Sequence, residues 1–119
     1  SLDGAIQSGR NLNNDTWIEE NEVGAHALGF NDHSIGVCWI GGQGGSKKAF
    51  TVKQYWSGLL LAAMWRKVIP GMKFLGHNET GAQKACPVIS MDLFRDRLAR
   101  MNKDLSFEVL KAEIAIQGV

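Results

Sequence analysis

Apolar residues recur at helical spacing from Val52 onward. Val52, Tyr55, Trp56, Leu59, Leu60, Ala63 and Met64 follow a 3.6-residue period until Ile69, Pro70 and Gly71 end it. Thr51, with Gln54 three residues later, supplies a capping box at the start, so the main core helix is expected here. A second amphipathic helix is predicted over 90–101, SMDLFRDRLARM, burying Met91, Phe94, Leu98 and Met101. Asp92 near its start and Arg97 and Arg100 near its end suit the helix macrodipole. Residues 34–42, SIGVCWIGG, form a continuous apolar run bounded by glycine, the pattern of a strand buried on both faces. Cys38 within it is expected to be an inert core thiol. MKFL at 72–75 reads as a short strand, and the chain opens with a turn at Asp3 and Gly4 followed by another. The polar stretch 11–23 suits a surface loop or one short helical turn. From Leu105 to Val119 the period does not decide between helix and strand, with helix preferred. Alternating strands and helices give the expected class: α/β, a mixed central sheet flanked by helices, in a single domain over 1–119.

With 119 residues and 45% apolar composition, the chain can bury one modest core. Its net charge of +1 hides an asymmetry, since Asp3, Asp15, Glu19, Glu20, Glu22 and Asp32 face Arg10 alone in the first part of the chain. The later Lys and Arg are interleaved with acids, which is a solvated surface and not a nucleic-acid footprint, although weak attraction to an anionic polymer stays open. Two cysteines do not make a disulfide scaffold, and no signal-like apolar segment with a small-residue cleavage site opens the sequence. A cytoplasmic protein is expected. The most apolar run, LLLAAMW at 59–65, is far below the ~18 residues of a membrane span. The glycine-rich GGQGGSKK lacks the GK[ST] order of a phosphate loop, and the glycosylation sequons at Asn14 and Asn78 are read as chance matches.

His77 lies at the end of the MKFLG segment, nine residues before Cys86. A neutral imidazole and a thiolate are preferred ligands of tetrahedral zinc, so the two could meet around one ion. A surface histidine with a buried cysteine fits the same spacing. The segment around them, HNETGAQKACP, resembles the zinc-binding segment of the type 2 N-acetylmuramoyl-L-alanine amidase family, most nearly the endolysin-type amidases of T-odd coliphages. GAHALGFNDHSIGVCWIGG at 24–42 resembles the same family's loop and strand, and with Asp3-Gly4 and Gly9-Arg10 the likeness runs to about Met101.

That resemblance implies a peptidoglycan-recognition-like α/β domain and zinc-dependent hydrolysis of the amide between N-acetylmuramic acid and L-alanine in peptidoglycan, reached after release from the cytoplasm. It makes His77 and Cys86 zinc ligands and Lys84 the catalytic cation beside the reacting carbonyl. Zinc and an ammonium would both stabilise the tetrahedral oxyanion of such a reaction. Lys84 also fits an ordinary exposed lysine. His26 and Asn31 would contact substrate, with a hydrogen-bonded structural role for His26 equally open; Asn31 and Gly29 are expected to shape their loop by turn geometry. His33 beside Asp32 is given no role, and Glu79 is either an outer-sphere group or a solvated carboxylate.

The likeness covers the C-terminal two-thirds of the family domain. The family pattern has roughly fifty further N-terminal residues, with a strand, a helix and a second strand that carry a third zinc-ligand His and a Tyr. None of these has a counterpart here, and the segment from His77 to Cys86 is one residue longer than in the phage group. The alternative function is therefore a catalytically incomplete homologue that binds peptidoglycan or a protein partner without cutting. An N-terminal piece encoded or cleaved separately, a strand exchanged with a second copy, or a rearranged fold would cover the open sheet edge.

Overall fold

The computed structural model describes residues 1–9, 23–41, 50–101 and 107–119. Helix α1 (Val52–Val68), a single 3-10 turn at His77–Glu79, helix α2 (Met91–Met101) and helix α3 (Phe107–Gln117) follow in order. Among the described residues there is no β-strand. The expected α/β class with its mixed central sheet is thus corrected to a helical one. Helices satisfy their backbone groups locally, whereas a strand needs a neighbour to receive its N–H and C=O groups. The expected strands after Gly4, at 34–42 and at 72–75 have no ladder over their described positions. The polar stretch 11–22 and the glycine-rich 42–49 lie outside the described residues.

The capping box at α1 forms as the sequence implies. The Thr51 hydroxyl accepts from the Gln54 N–H at 3.1 Å, and the Gln54 side chain accepts from the Thr51 N–H at 2.9 Å. Both side chains do more than cap. Thr51 Oγ1 donates to the Leu2 carbonyl at 2.6 Å, and buried Gln54 donates through Nε2 to the Ile40 carbonyl at 2.7 Å. The turn at Asp3-Gly4 is present, and Gly4 sits at φ 87 with its carbonyl accepting from Ser57 Oγ at 2.7 Å. A Cβ there would lie 2.9 Å from the Lys53 carbonyl oxygen, so backbone sign and close approach both call for glycine.

The core lies where the three helices meet. Tyr55, Leu59 and Ala62 of α1 pack with Phe94, Leu98 and Met101 of α2 and with Leu110 and Ile114 of α3. Trp39 joins them, its ring edge-on to Phe50 at 5.4 Å and to Tyr55 at 5.7 Å. The expected face of α1 is only half right, because Val52, Leu60 and Met64 are exposed and Ala62 is buried in their place. Met91 is partly buried against the core.

Arg97 is the largest departure within a correctly expected helix. It is fully buried, with Nη1 donating to the Gly118 carbonyl at 2.9 Å, Nε to Glu113 at 3.2 Å, and its guanidinium 5.3 Å from the centre of the Tyr55 ring. Arg100 grips the same carboxylate with two bonds of 2.7 Å. Those partners, chiefly Arg100, hold the Glu113 carboxyl down at about 2. Among the described residues no helix is long and apolar enough to cross a membrane.

Candidate functional site

The loop that carries His26 is folded by its own side chains. Turn bonds run from Phe30 N–H to the Ala27 carbonyl at 2.9 Å and from His33 N–H to the Phe30 carbonyl at 3.2 Å, and Gly29 takes φ 82 between them. Asn31 Oδ1 accepts from the N–H groups of both His26 and Ala27 at 2.8 Å. The expected turn-shaping by Asn31 and Gly29 therefore has a concrete form.

His26 Nε2 lies 2.8 Å from Ser34 Oγ, and that hydroxyl donates its proton to the Phe30 carbonyl at 2.6 Å. The hydroxyl has one proton to give, so it accepts from the imidazole and Nε2 carries the hydrogen. This leaves Nδ1 as the acceptor of neutral His26. It also rules Ser34 out as a nucleophile activated by His26, because the pair is oriented the wrong way for proton abstraction. A Cβ at Gly36 would fall 2.6 Å from His26 Cγ, so the run beyond the loop passes directly beneath the ring.

The Asn31 anchor yields a first expected result. Asn31→Ala removes one acceptor from two backbone donors and should destabilise the loop by about 1–2 kcal/mol. Faster amide exchange at His26 and Ala27, restored by Asn31→Asp, is the readout. Unchanged exchange would show that the loop is held by other contacts.

The second cluster is the turn from Gly76 to Pro87. Cys86 Sγ and His77 Nδ1 are 3.3 Å apart, and the Asn78 N–H donates to the Cys86 carbonyl at 2.9 Å, so backbone and side chains close the same loop. The Cys86-Pro87 peptide is cis. Cys86 is exposed, and so is Cys38, which corrects the expectation of a buried core thiol. Lys84 is exposed on the intervening segment, its N–H bonded to the Ala82 carbonyl at 2.9 Å.

Glu79 turns away from His77. Its carboxylate accepts from Arg95 at 2.8 and 2.9 Å and from the Gly76 N–H at 2.8 Å, and the Arg95 guanidinium, then that N–H, holds its pKa below the usual carboxylate range. Arg95 is in turn raised by Glu79 and Asp92. These groups line a cavity of about 240 Å³ with Ser90 and Met91. The Glu79–Arg95 pairing is invisible to sequence reading because the partners are sixteen residues apart and belong to no local pattern. Ser34 is hidden in the sequence at the head of a run dominated by its apolar character.

A catalytic zinc takes three protein ligands and an open position. Among the described residues no three His, Cys, Asp or Glu side chains come close enough to hold a metal ion. His77 and Cys86 meet, but Glu79 is committed to Arg95. The donor set does not fit the zinc that the resemblance implied, and that expectation is corrected. His33, bonded to Asp32 at 2.7 Å on the surface, brings no help, and its contact lowers the Asp32 pKa. His26 and Asn31 form one cluster and His77 and Cys86 another, each closed by bonds within its own loop.

Two loops of this composition, in this order along the chain, define the class. Residues 7–88 match the N-acetylmuramoyl-L-alanine amidase family, and the chain belongs to it. Among curated proteins it is similar to the endolysin of Escherichia phage T7, 38% identical over 96 residues that cover 78% of this chain and 56% of the relative. The endolysins of Enterobacteria phage T3 and Klebsiella phage KP32 are 36% and 32% identical over the same shares. The chain thus spans about half the length of the curated relatives it matches. No solved structure matches it. The family ties the chain in general terms to a peptidoglycan-related role.

Proposed function

We propose that this chain is a catalytically incomplete amidase homologue that binds peptidoglycan without cutting it. The observation that carries this reading is the His77–Cys86 pair, assembled at 3.3 Å with no third metal-holding side chain among the described residues. Two donors leave a metal underheld, and among the described residues no third side chain joins them to hold one that would activate water for amide attack. The expected zinc amidohydrolase is therefore set aside.

Binding asks less of the same loops than hydrolysis does. The acceptor Nδ1 of His26, fixed by the Ser34 bond, suits a sugar hydroxyl or a peptide N–H, with Asn31 positioning the backbone beneath it. Exposed Lys84 offers a cation to the carboxylates of stem peptides. In this reading residues 1–119 are the C-terminal part of the family domain. A protein partner or further N-terminal sequence would cover the apolar segments that lack a ladder among the described residues.

Purified cell-wall sacculi test the proposal. The chain should co-sediment saturably and release no muropeptide with a new N-terminal L-alanine. Lys84→Ala should weaken retention by about fivefold, the loss of one exposed charge contact. Absence of binding, or steady release of such muropeptides, would overturn the reading.

A further inference from the structure

The segment from Gly76 to Pro87 carries His77, Lys84 and Cys86, and its regular structure is the single 3-10 turn at His77–Glu79. A turn with so little backbone pairing of its own needs an outside anchor to keep one shape. Arg95, reaching across from α2, supplies it. Nη1 donates to the Phe74 carbonyl at 2.9 Å and to Glu79 Oε1 at 2.8 Å, while Nη2 donates to Glu79 Oε2 and to Asp92 Oδ1, both at 2.9 Å. Phe74 precedes His77 and Glu79 follows it, so one planar group brackets the histidine from both sides. Glu79 Oε1 also accepts from the Gly76 N–H at 2.8 Å, which ties the bracket back onto the turn.

We infer that Arg95 is the positioning residue of this turn: it fixes where Lys84 is presented and is not itself the group that meets the ligand. The inference deepens the wall-binding reading and rests on it only for what Lys84 meets. One end of the bracket is firm. Phe74 packs against the core, and its ring centre lies 5.6 Å from the Arg66 guanidinium of α1. The turn is pressed against the start of α2, since a Cβ at Gly76 would lie 2.8 Å from Pro87 Cδ and 3.0 Å from Met91 Cγ. Beyond Glu79 the segment returns to Cys86, where the Asn78 N–H closes it on the Cys86 carbonyl at 2.9 Å. Lys84 is exposed on the arm so closed. Both terminal nitrogens of Arg95 give both hydrogens to protein oxygens, so the guanidinium has only Nε–H left for a ligand carboxylate. The anchor depends on the planar fork, which a lysine with the same charge does not reproduce.

Amide exchange and wall retention together test the inference. Arg95→Lys keeps the charge and loses the fork, whereas Glu79→Gln keeps the fork and sets an uncharged amide against it. Each should speed exchange of the Asn78 N–H by roughly tenfold or more, the effect of losing charge-assisted bonds at the anchor. Each should also weaken retention on purified sacculi by about fivefold, the loss expected of Lys84→Ala. Adding Lys84→Ala to Arg95→Lys should then cost little more, because a displaced cation has already lost its contact. Lys84→Ala alone should leave Asn78 exchange at the parent rate, since Lys84 is carried by the turn and does not hold it. Helical circular dichroism should be the same in every variant, because Phe94, Leu98 and Met101 keep α2 in the core, and this separates a loosened turn from an unfolded chain. Parent-like exchange in Arg95→Lys overturns the inference, as charge alone would then suffice. So does a loss of retention with unchanged exchange, which would make Arg95 a direct wall contact, and so do losses that add in the double variant. If the parent chain fails to bind sacculi, the wall-binding reading falls by itself, and the exchange rates still decide whether Arg95 holds the turn.

Discussion

Glu113→Ala should destabilise the protein by about 3 kcal/mol, the cost expected when one partner of a buried ion pair is removed and the other stays behind. Arg97 is fully buried and would keep, beside the Tyr55 ring, a hydrogen bond to the Gly118 carbonyl and a long one to Gln117, while Arg100 would lose its two-bond partner. Urea unfolding followed by helical circular dichroism measures the loss. Replacing both Arg97 and Glu113 with apolar residues of similar size should recover much of it, because the desolvation cost disappears along with the pair. A single variant within a few tenths of the parent would show that the cluster holds nothing together.

The same cluster fixes an acid limit. The folded-state pKa of Glu113 is depressed to about 2 from an ordinary value of 4.5, so its contribution is complete above the unfolded value. It is lost as pH falls from about 4.5 towards 2. The α3 signal should weaken across that window in the parent chain. In Glu113→Gln that step should be much reduced, the stability being already lower at neutral pH.

Leu59→Ala and Leu60→Ala should differ sharply although the residues are adjacent. Leu59 is wholly buried among side chains of all three helices and should cost about 3 kcal/mol, within the range for large-to-small core changes. Leu60 is 42% exposed, so its loss should cost under about 1 kcal/mol. Equal midpoint shifts for the two variants in urea would place the core face of α1 elsewhere.

That contrast marks how far the sequence can be read. Periodicity locates α1 and α2, and α1 also begins at the Thr51 capping box and ends just before Pro70, signals that act over a few residues. It does not resolve the face of α1, since VKQYWSGLLLAAMWRKV is apolar nearly all round and its period has no strong preferred side. Arg97 reads as a surface cation because charge normally points outward; only the return of α3 with Glu113 gives it a partner, and that contact is sixteen residues away. The apolar run at 34–41 carries a true pattern but not its realisation, because a strand is a relation between two segments and a single segment cannot state it.

At the candidate site the local part is legible and the assembled part is not. The spacing of His77 and Cys86 leaves open whether they meet, and the structure sets them 3.3 Å apart, while Asn31 and Gly29 shape their loop as their residue types suggest. The tautomer of His26, the diversion of Glu79 to Arg95 and the exposure of Cys38 all depend on neighbours that no motif names.

The family match ends at residue 88, yet Leu110 and Ile114 of α3 are among the most deeply buried side chains. The helix that closes the core therefore lies beyond the span of the family model. On the ribosome, α1 and α2 would leave the exit tunnel with the faces of Tyr55, Leu59 and Leu98 that meet Leu110 and Ile114 still open to water, and they would stay so until α3 emerged behind them. For that interval the nascent chain offers its apolar surface to chaperones, and its escape from aggregation depends on how quickly α3 is delivered.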